Sequence, residues 1–83
     1  MNEKKTITIE VELTLSSFIG QKIKARRNEL GLTMSDLSDF ISHPFLSDVE
    51  NGKRKIGFEK LYWLSGPLGV SMDWFVEGWD DVN

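Results

Sequence analysis

The 83-residue sequence contains no cysteine and a single histidine, His43. The absence of cysteine excludes disulfides, thiolate metal ligands and a cysteine nucleophile. One histidine leaves too few ligands for a conventional zinc site, so we expect neither a metal nor a cofactor. No apolar run approaches the roughly 18 residues that indicate a membrane span, and the N-terminus has no apolar block of the signal-peptide kind. We therefore expect a cytoplasmic protein with no membrane association.

The net charge is small, and the charged residues are unevenly distributed along the chain. The formal net charge is −3 over the whole chain. Residues 20–66 are mildly basic, whereas residues 67–83 contain four acidic residues and no basic one. The basic middle segment is weak support for a polyanion partner, because nucleic-acid-binding domains usually have a clearer excess of cations. The length and the 40% hydrophobic content are typical of one small globular domain.

The N-terminal segment alternates between polar and apolar residues from Thr6 to Leu15. This alternation predicts a β-strand with one buried face. The apolar face consists of Ile7, Ile9, Val11, Leu13 and Leu15. No second strand pattern follows, so the strand needs a partner for its backbone groups. We favour the same strand of a second copy, which would make residues 1–15 a homodimerisation arm. The alternatives are the sheet edge of another protein and an arm that lies on the helices without a ladder.

From Ser16 onward the apolar spacing is helical and predicts five short helices. Four of them have predicted N-caps, at Ser16 or Ser17, Thr33, Ser42 and Ser71, and the remaining one begins near Phe58. The residues predicted to face inward are Ile19, Ile23, Leu30, Leu37, Phe40 or Ile41, Leu46, Val49, Leu61 and Leu64. We expect helices to end at Gly31, Asn51-Gly52 and Gly78, and Gly66-Pro67 to loosen or kink one last turn. The predicted fold is mainly α, with a helical domain over residues 16–78 and an acidic tail over residues 79–83.

Three sequence blocks stand at a characteristic separation: Gly31-Leu32-Thr33, the Asp-Val-Glu-Asn-Gly-Lys-Arg-Lys block from Asp48 to Lys55, and the block from Leu68 to Phe75. With these blocks, residues 19–78 resemble the lambda-repressor-like (Cro/cI, XRE-type) helix-turn-helix family. The resemblance implies a five-helix domain that binds double-stranded DNA as a dimer, with the third helix in the major groove. It implies a transcriptional regulator, such as a repressor of phage or mobile-element type or an antitoxin-like autoregulator.

The resemblance also assigns roles to individual residues. The candidate base-contacting positions are Ser42, His43, Pro44, Phe45, Ser47 and Asp48. The candidate phosphate-contacting positions are Thr33 and Met34 at a helix start, and Asn51, Lys53, Arg54 and Lys55 after the third helix. Arg27 corresponds to an arginine that pairs with the glutamate at Glu50 and joins the first helix to the third. The alternative for residues 53–55 is a solvated turn, and the pair of Arg27 and Glu50 would maintain the fold whatever the function.

The sequence departs from the family pattern in the turn and on the reading face. Leu37 and Leu46 are nine positions apart, about two fewer than usual, which predicts a tightened turn. Pro44 has no side-chain donor, and Asp48 is repelled by phosphates although it can accept from a cytosine amino group. Met34 stands where relatives often have a phosphate-binding glutamine.

These departures support a second hypothesis for the function. A helix-turn-helix fold that has lost DNA reading would bind another protein instead, for example as an anti-repressor or an inhibitor of another regulator. The acidic residues at 79–83 favour this alternative, because they disfavour close approach to a duplex. An enzyme is not expected, since His43 has no carboxylate or nucleophile at motif spacing and no glycine-rich phosphate loop follows a strand.

Overall fold

The computed structural model describes the backbone of residues 14–82. Within this range the chain forms four α-helices, which are α1 (Leu15–Glu29), α2 (His43–Glu50), α3 (Phe58–Leu68) and α4 (Trp79–Val82). A 3-10 segment at Ser35–Leu37 lies between α1 and α2, and a second one at Met72–Val76 lies between α3 and α4. None of the helices in this part of the chain is both long and apolar enough to cross a membrane. The mainly α prediction is confirmed, but the prediction of five helices preceded by a strand is wrong, because the described residues form four α-helices and no strand.

Helix α1 begins earlier than predicted, and its cap is Thr14 rather than Ser16 or Ser17. The Thr14 Oγ1 accepts a hydrogen bond from the Ser17 N–H at 3.0 Å, and the Ser17 Oγ accepts one from the Thr14 N–H at 3.1 Å. This reciprocal capping box satisfies amide donors that a helix start otherwise leaves unpaired. Leu15, which the alternation placed on the strand, is therefore the first residue of a helix. The other predicted strand residues, Ile7, Ile9, Val11 and Leu13, lie outside the described residues.

The core consists of ten buried apolar side chains in the described part of the chain. They are Ile19, Ile23, Leu37, Ile41, Leu46, Val49, Leu61, Leu64, Leu68 and Phe75. Two of the predicted inward-facing residues are instead partly accessible, since Leu30 is 42% and Phe40 is 41% exposed. Leu30 is the C-cap of α1 and no longer lies on its buried stripe, and Ile41 takes the buried position that the sequence left open between Phe40 and Ile41.

The predicted second helix is reduced to a single 3-10 turn. The Thr33 N–H donates to Asp36 Oδ2 at 2.8 Å, and the Asp36 N–H donates to Thr33 Oγ1 at 3.1 Å. These reciprocal hydrogen bonds form at Thr33 as expected, but the helical segment that follows is only Ser35–Leu37, and its N-cap is Met34 rather than Thr33. The short separation between Leu37 and Leu46 accounts for the lost turn, because both side chains are buried in the same core and too few residues remain between them for an α-helix.

The C-terminal part differs from the prediction in two ways. The predicted fifth helix is the 3-10 helix Met72–Val76, and the residues predicted to be an acidic tail begin with α4. Helix α3 runs through Pro67 and ends at Gly69, which adopts a left-handed conformation with φ +67°. The Trp79 ring lies against the Phe18 ring of α1, with centroids 5.4 Å apart. Helix α4 is thereby attached to α1 through an aromatic contact.

Helices α1 and α2 approach each other closely at Gly20. An ideal Cβ placed on Gly20 would lie 2.1 Å from the carbonyl oxygen of Val49, which is far inside van der Waals contact. The absence of a side chain at this position permits the approach. The contact packs α1 against the helix that carries the candidate base-contacting residues.

Candidate nucleic-acid interface

Helix α2 is fixed by its cap and by a buried face. The Ser42 Oγ accepts from the Phe45 N–H at 3.3 Å, and Pro44 lies in the first turn, where helix amides have no intrahelical acceptor. Leu46 and Val49 have no exposed surface. Of the candidate base-contacting residues, the exposed ones are Ser42, His43 and Pro44, and the half-buried ones are Phe45, Ser47 and Asp48. The structure thus brings all six together at the start and along the side of one short helix.

A buried ion pair joins α2 to α1. Arg27 Nε donates to Glu50 Oε2 at 2.8 Å, and Arg27 Nη2 donates to Glu50 Oε1 at 2.9 Å. Arg27 Nη1 also donates to the Leu32 carbonyl oxygen at 2.9 Å. The hydrogen bonds to Glu50 raise the pKa of Arg27, although burial of the guanidinium acts in the opposite direction. This two-pronged geometry fixes the orientation of the end of α2 relative to α1.

The segment after α2 presents a cluster of cations. Gly52 adopts a left-handed conformation with φ +76°, and the Lys53 N–H donates to the Asp48 carbonyl oxygen at 2.8 Å, so the chain turns sharply as α2 ends. Asn51 is exposed, and its side-chain amide lies 3.5 Å from the Ser47 Oγ. An open cavity of about 270 Å³ is lined by Thr14, Ser16, Gly52, Lys53, Arg54 and Lys55. The three cations are exposed, and through this cavity they lie near Thr14 and Ser16 at the start of α1.

The other predicted phosphate site, at Thr33 and Met34, is poorly suited to an anion. The Thr33 N–H is already bonded to the carboxylate of Asp36. Met34 is half-buried and packs against the core. The helix predicted to begin here is a single 3-10 turn, which supplies little helix dipole to attract an anion, and its first turn contains an acidic residue. The geometry therefore leaves the cationic segment after α2 as the better place for phosphate contacts.

Two further cations of α1 are bound within the fold. The Lys22 ammonium donates to the carbonyl oxygens of Trp74 and Glu77, the latter at 2.8 Å. Burial lowers the pKa of Lys22, and the charge of Glu77 partly offsets this. Arg26 Nε donates to the Leu68 carbonyl oxygen at 2.9 Å. These groups satisfy carbonyl oxygens at helix ends, so the basic residues of α1 contribute less free charge than the sequence suggested.

The sequence-based reasoning missed Lys60, the third residue of α3. Its Nζ lies 5.0 Å from the centroid of the Phe45 ring, and the guanidinium carbon of Arg54 lies 4.7 Å from the same centroid. Both distances are within the range of cation–π attraction. No local motif identifies Lys60, because its proximity to α2 arises only from the packing of α3.

Comparison with known proteins relates this sequence to a described family. A model of the helix-turn-helix family matches residues 23–75. A protein of Rickettsia prowazekii (strain Madrid E) named an uncharacterized HTH-type transcriptional regulator is 32% identical over 71 residues, which is 83% of this chain and 55% of that protein. A protein of the same description from Rickettsia conorii (strain ATCC VR-613 / Malish 7) is 31% identical over 71 residues, 83% of this chain and 57% of its own length. The chain therefore spans just over half the length of these curated relatives. No significant match was found among solved structures.

Proposed function

The chain belongs to the helix-turn-helix family, and on this premise we propose that it is a DNA-binding transcriptional regulator. The observation that carries the proposal is the placement of an anchored α2, with an accessible first turn, directly before the cations at 53–55. A helix that enters the major groove needs both features, since base edges are read from the helix and phosphates are bound from its flanks.

The side-chain chemistry of α2 and of the cations that follow it predicts how much each group contributes to the affinity for DNA. On the helix, His43 and Ser47 have side chains able to bond to base edges, and Asp48 can accept from a cytosine amino group. Pro44 contributes no donor. Lys53 and Arg54 are suited to phosphate oxygens, which carry no sequence information. We therefore expect binding that depends mainly on phosphate contacts, with a modest preference for sequence.

The finer part of the proposal is that the regulator binds as a dimer, as a repressor of phage or mobile-element type or as an antitoxin-like autoregulator. Helix-turn-helix dimers bind two half-sites about one duplex turn apart. Phe58 and Tyr62 lie one turn apart on α3 and are 76% and 65% exposed, so they offer an aromatic surface for a second copy. We expect sedimentation velocity to show a dimer with a palindromic duplex. One chain per duplex at every protein concentration would contradict this part.

The main test is fluorescence anisotropy with a mixed-sequence duplex of about 30 base pairs, titrated at several salt concentrations. We expect an affinity that falls steeply as salt rises, because bound phosphates release counterions. Lys53→Gln removes one phosphate contact and should lower the slope of log affinity against log salt by about 0.9. Lys24→Gln is the matched control, since it removes the same charge from an exposed position on α1.

The second candidate function is a protein-binding module of the same fold. It is favoured by Pro44 and Asp48, which place a non-donor and an acid within the proposed interface. The same titration separates the two candidates. If the wild-type protein does not bind duplex DNA even at low salt, the DNA-binding proposal is wrong and the protein-binding alternative becomes the better account.

A further inference from the structure

We infer that Lys60 is an additional phosphate-binding cation of this interface, and that Phe45 positions it together with Arg54. The inference rests on the proposed DNA-binding function and deepens it, because it adds a residue from α3 to a surface otherwise built from α2 and the segment after it. It also gives Phe45 a role different from the base contact predicted from the sequence.

The first observation is the anchoring of the Phe45 ring. Phe45 is half-buried and packs against the hydrophobic core, and its N–H is bonded to the Ser42 cap. Its ring therefore has few alternative orientations. Groups that pack on it acquire a defined position relative to the start of α2.

The second observation is that two cations from different elements share this ring. Arg54 comes from the segment after α2 and Lys60 from the first turn of α3, and they lie 4.7 Å and 5.0 Å from the ring centroid. The Lys60 ammonium also lies 5.9 Å from the centroid of the Trp63 ring. Aromatic faces hold the two cations beside α2 without neutralising their charge.

The third observation is that neither cation forms an ion pair with another side chain in the part of the chain that the structure describes. The ion pairs formed among the described side chains are Arg26 with Glu29 and Arg27 with Glu50, and neither Arg54 nor Lys60 takes part in one. Two like charges on one ring repel each other, so the pair is stabilised when an anion binds beside it. A phosphate of a duplex that contacts the first turn of α2 supplies such an anion. Because the ring already orders both side chains, less conformational entropy is lost on binding.

The test of Lys60 compares Lys60→Gln with Lys24→Gln by the same anisotropy titration. Lys60→Gln is expected to lower the slope of log affinity against log salt by about 0.9. It should also weaken the binding of every duplex sequence by a similar factor, because phosphate contacts carry no sequence information. Lys24→Gln is expected to leave the slope unchanged. If wild-type protein binds DNA and the two variants behave alike, the inference is wrong while the proposed function stands. If the wild-type protein does not bind, both are wrong.

The test of Phe45 uses Phe45→Leu and Phe45→Tyr. Leucine keeps the apolar packing and removes the ring, so the effect of Lys60→Gln should be at least twofold smaller in the Phe45→Leu background. Tyrosine keeps the ring and should retain the full effect. Thermal unfolding of each variant separates a loss of positioning from a loss of folding. An equal effect of Lys60→Gln in folded wild-type and Phe45→Leu backgrounds would show that Phe45 does not position Lys60.

Discussion

Replacing Gly20 by alanine tests the close approach of α1 and α2. The new Cβ would lie 2.1 Å from the Val49 carbonyl oxygen and 3.0 Å from its carbonyl carbon, whereas ordinary contact begins near 3.4 Å. The helices would have to separate by about 1 Å to accommodate the methyl group. The atom in the way belongs to the backbone of α2, so it cannot rotate aside as a side chain would. The Arg27–Glu50 hydrogen bonds, which span the same two helices, would be stretched as well.

The expected change in the free energy of unfolding of Gly20→Ala is the sum of two opposing effects. Overpacking of a well-packed contact costs about 1–3 kcal/mol, and the rigid carbonyl places this case at the upper end. The better helix propensity of alanine returns about 1 kcal/mol. We therefore expect Gly20→Ala to lower the free energy of unfolding by about 2 kcal/mol. For a domain of this size, that corresponds to a decrease in Tm of about 8–16 °C.

Thermal unfolding followed by circular dichroism measures this change. Gly66→Ala is the matched control, because it adds the same methyl group to helix α3 in open space. Gly66 precedes Pro67, whose ring disfavours a helical neighbour with a Cβ, so the propensity gain is reduced and we expect a change within about 1 kcal/mol of zero. A Gly20→Ala variant as stable as wild type, or more stable, would refute the proposed contact between α1 and α2.

Three further substitutions test other parts of the structure by urea or thermal unfolding. Glu50→Gln leaves the buried guanidinium of Arg27 without a counter-charge and should cost about 3 kcal/mol; an unchanged midpoint would show that the pair is not buried as described. Ser42→Ala removes the cap of α2 and should cost about 1 kcal/mol, while wild-type stability would argue against that cap. Lys22→Met keeps the apolar stem but removes the donors to helix-end carbonyls, and should cost about 1–2 kcal/mol and shift the fluorescence of Trp74; neither change would be seen if Lys22 were solvated.

Helix α2 could be predicted from the sequence because its signals are local. Ser42 accepts from a neighbouring amide, Pro44 is well accommodated in a first turn, and Gly52 adopts the left-handed conformation that ends the segment. Each of these effects operates within a few residues. The Arg27–Glu50 contact is different, since the two residues are far apart in sequence and were linked only through the resemblance to a known family.

The features that could not be predicted from the sequence depend on competition between strand and helix signals or on contacts between distant elements. The predicted strand extends to Leu15 because the polar–apolar alternation continues that far. The capping box of Thr14 instead starts a helix at Leu15, and the alternation contains no signal of this. The predicted second helix does not form as an α-helix, because Leu37 is buried in the core and too few residues remain between it and the start of α2. Gly20 and Lys60 carry no local signal at all. Gly20 matters because the Val49 carbonyl of α2 packs against it, and Lys60 matters because the packing of α3 brings it to the Phe45 ring.

The central claim is that duplex DNA binds to α2, to the cations at residues 53–55 that follow it, and to Lys60 of α3. The most direct measurement is a titration of isotope-labelled protein with a duplex, followed through the backbone amide signals by nuclear magnetic resonance. We predict the largest shift changes at His43, Phe45, Lys53 and Lys60, and small ones at the acidic residues around Asp80. Shifts concentrated around Asp80, or no shifts at low salt, would contradict the claim.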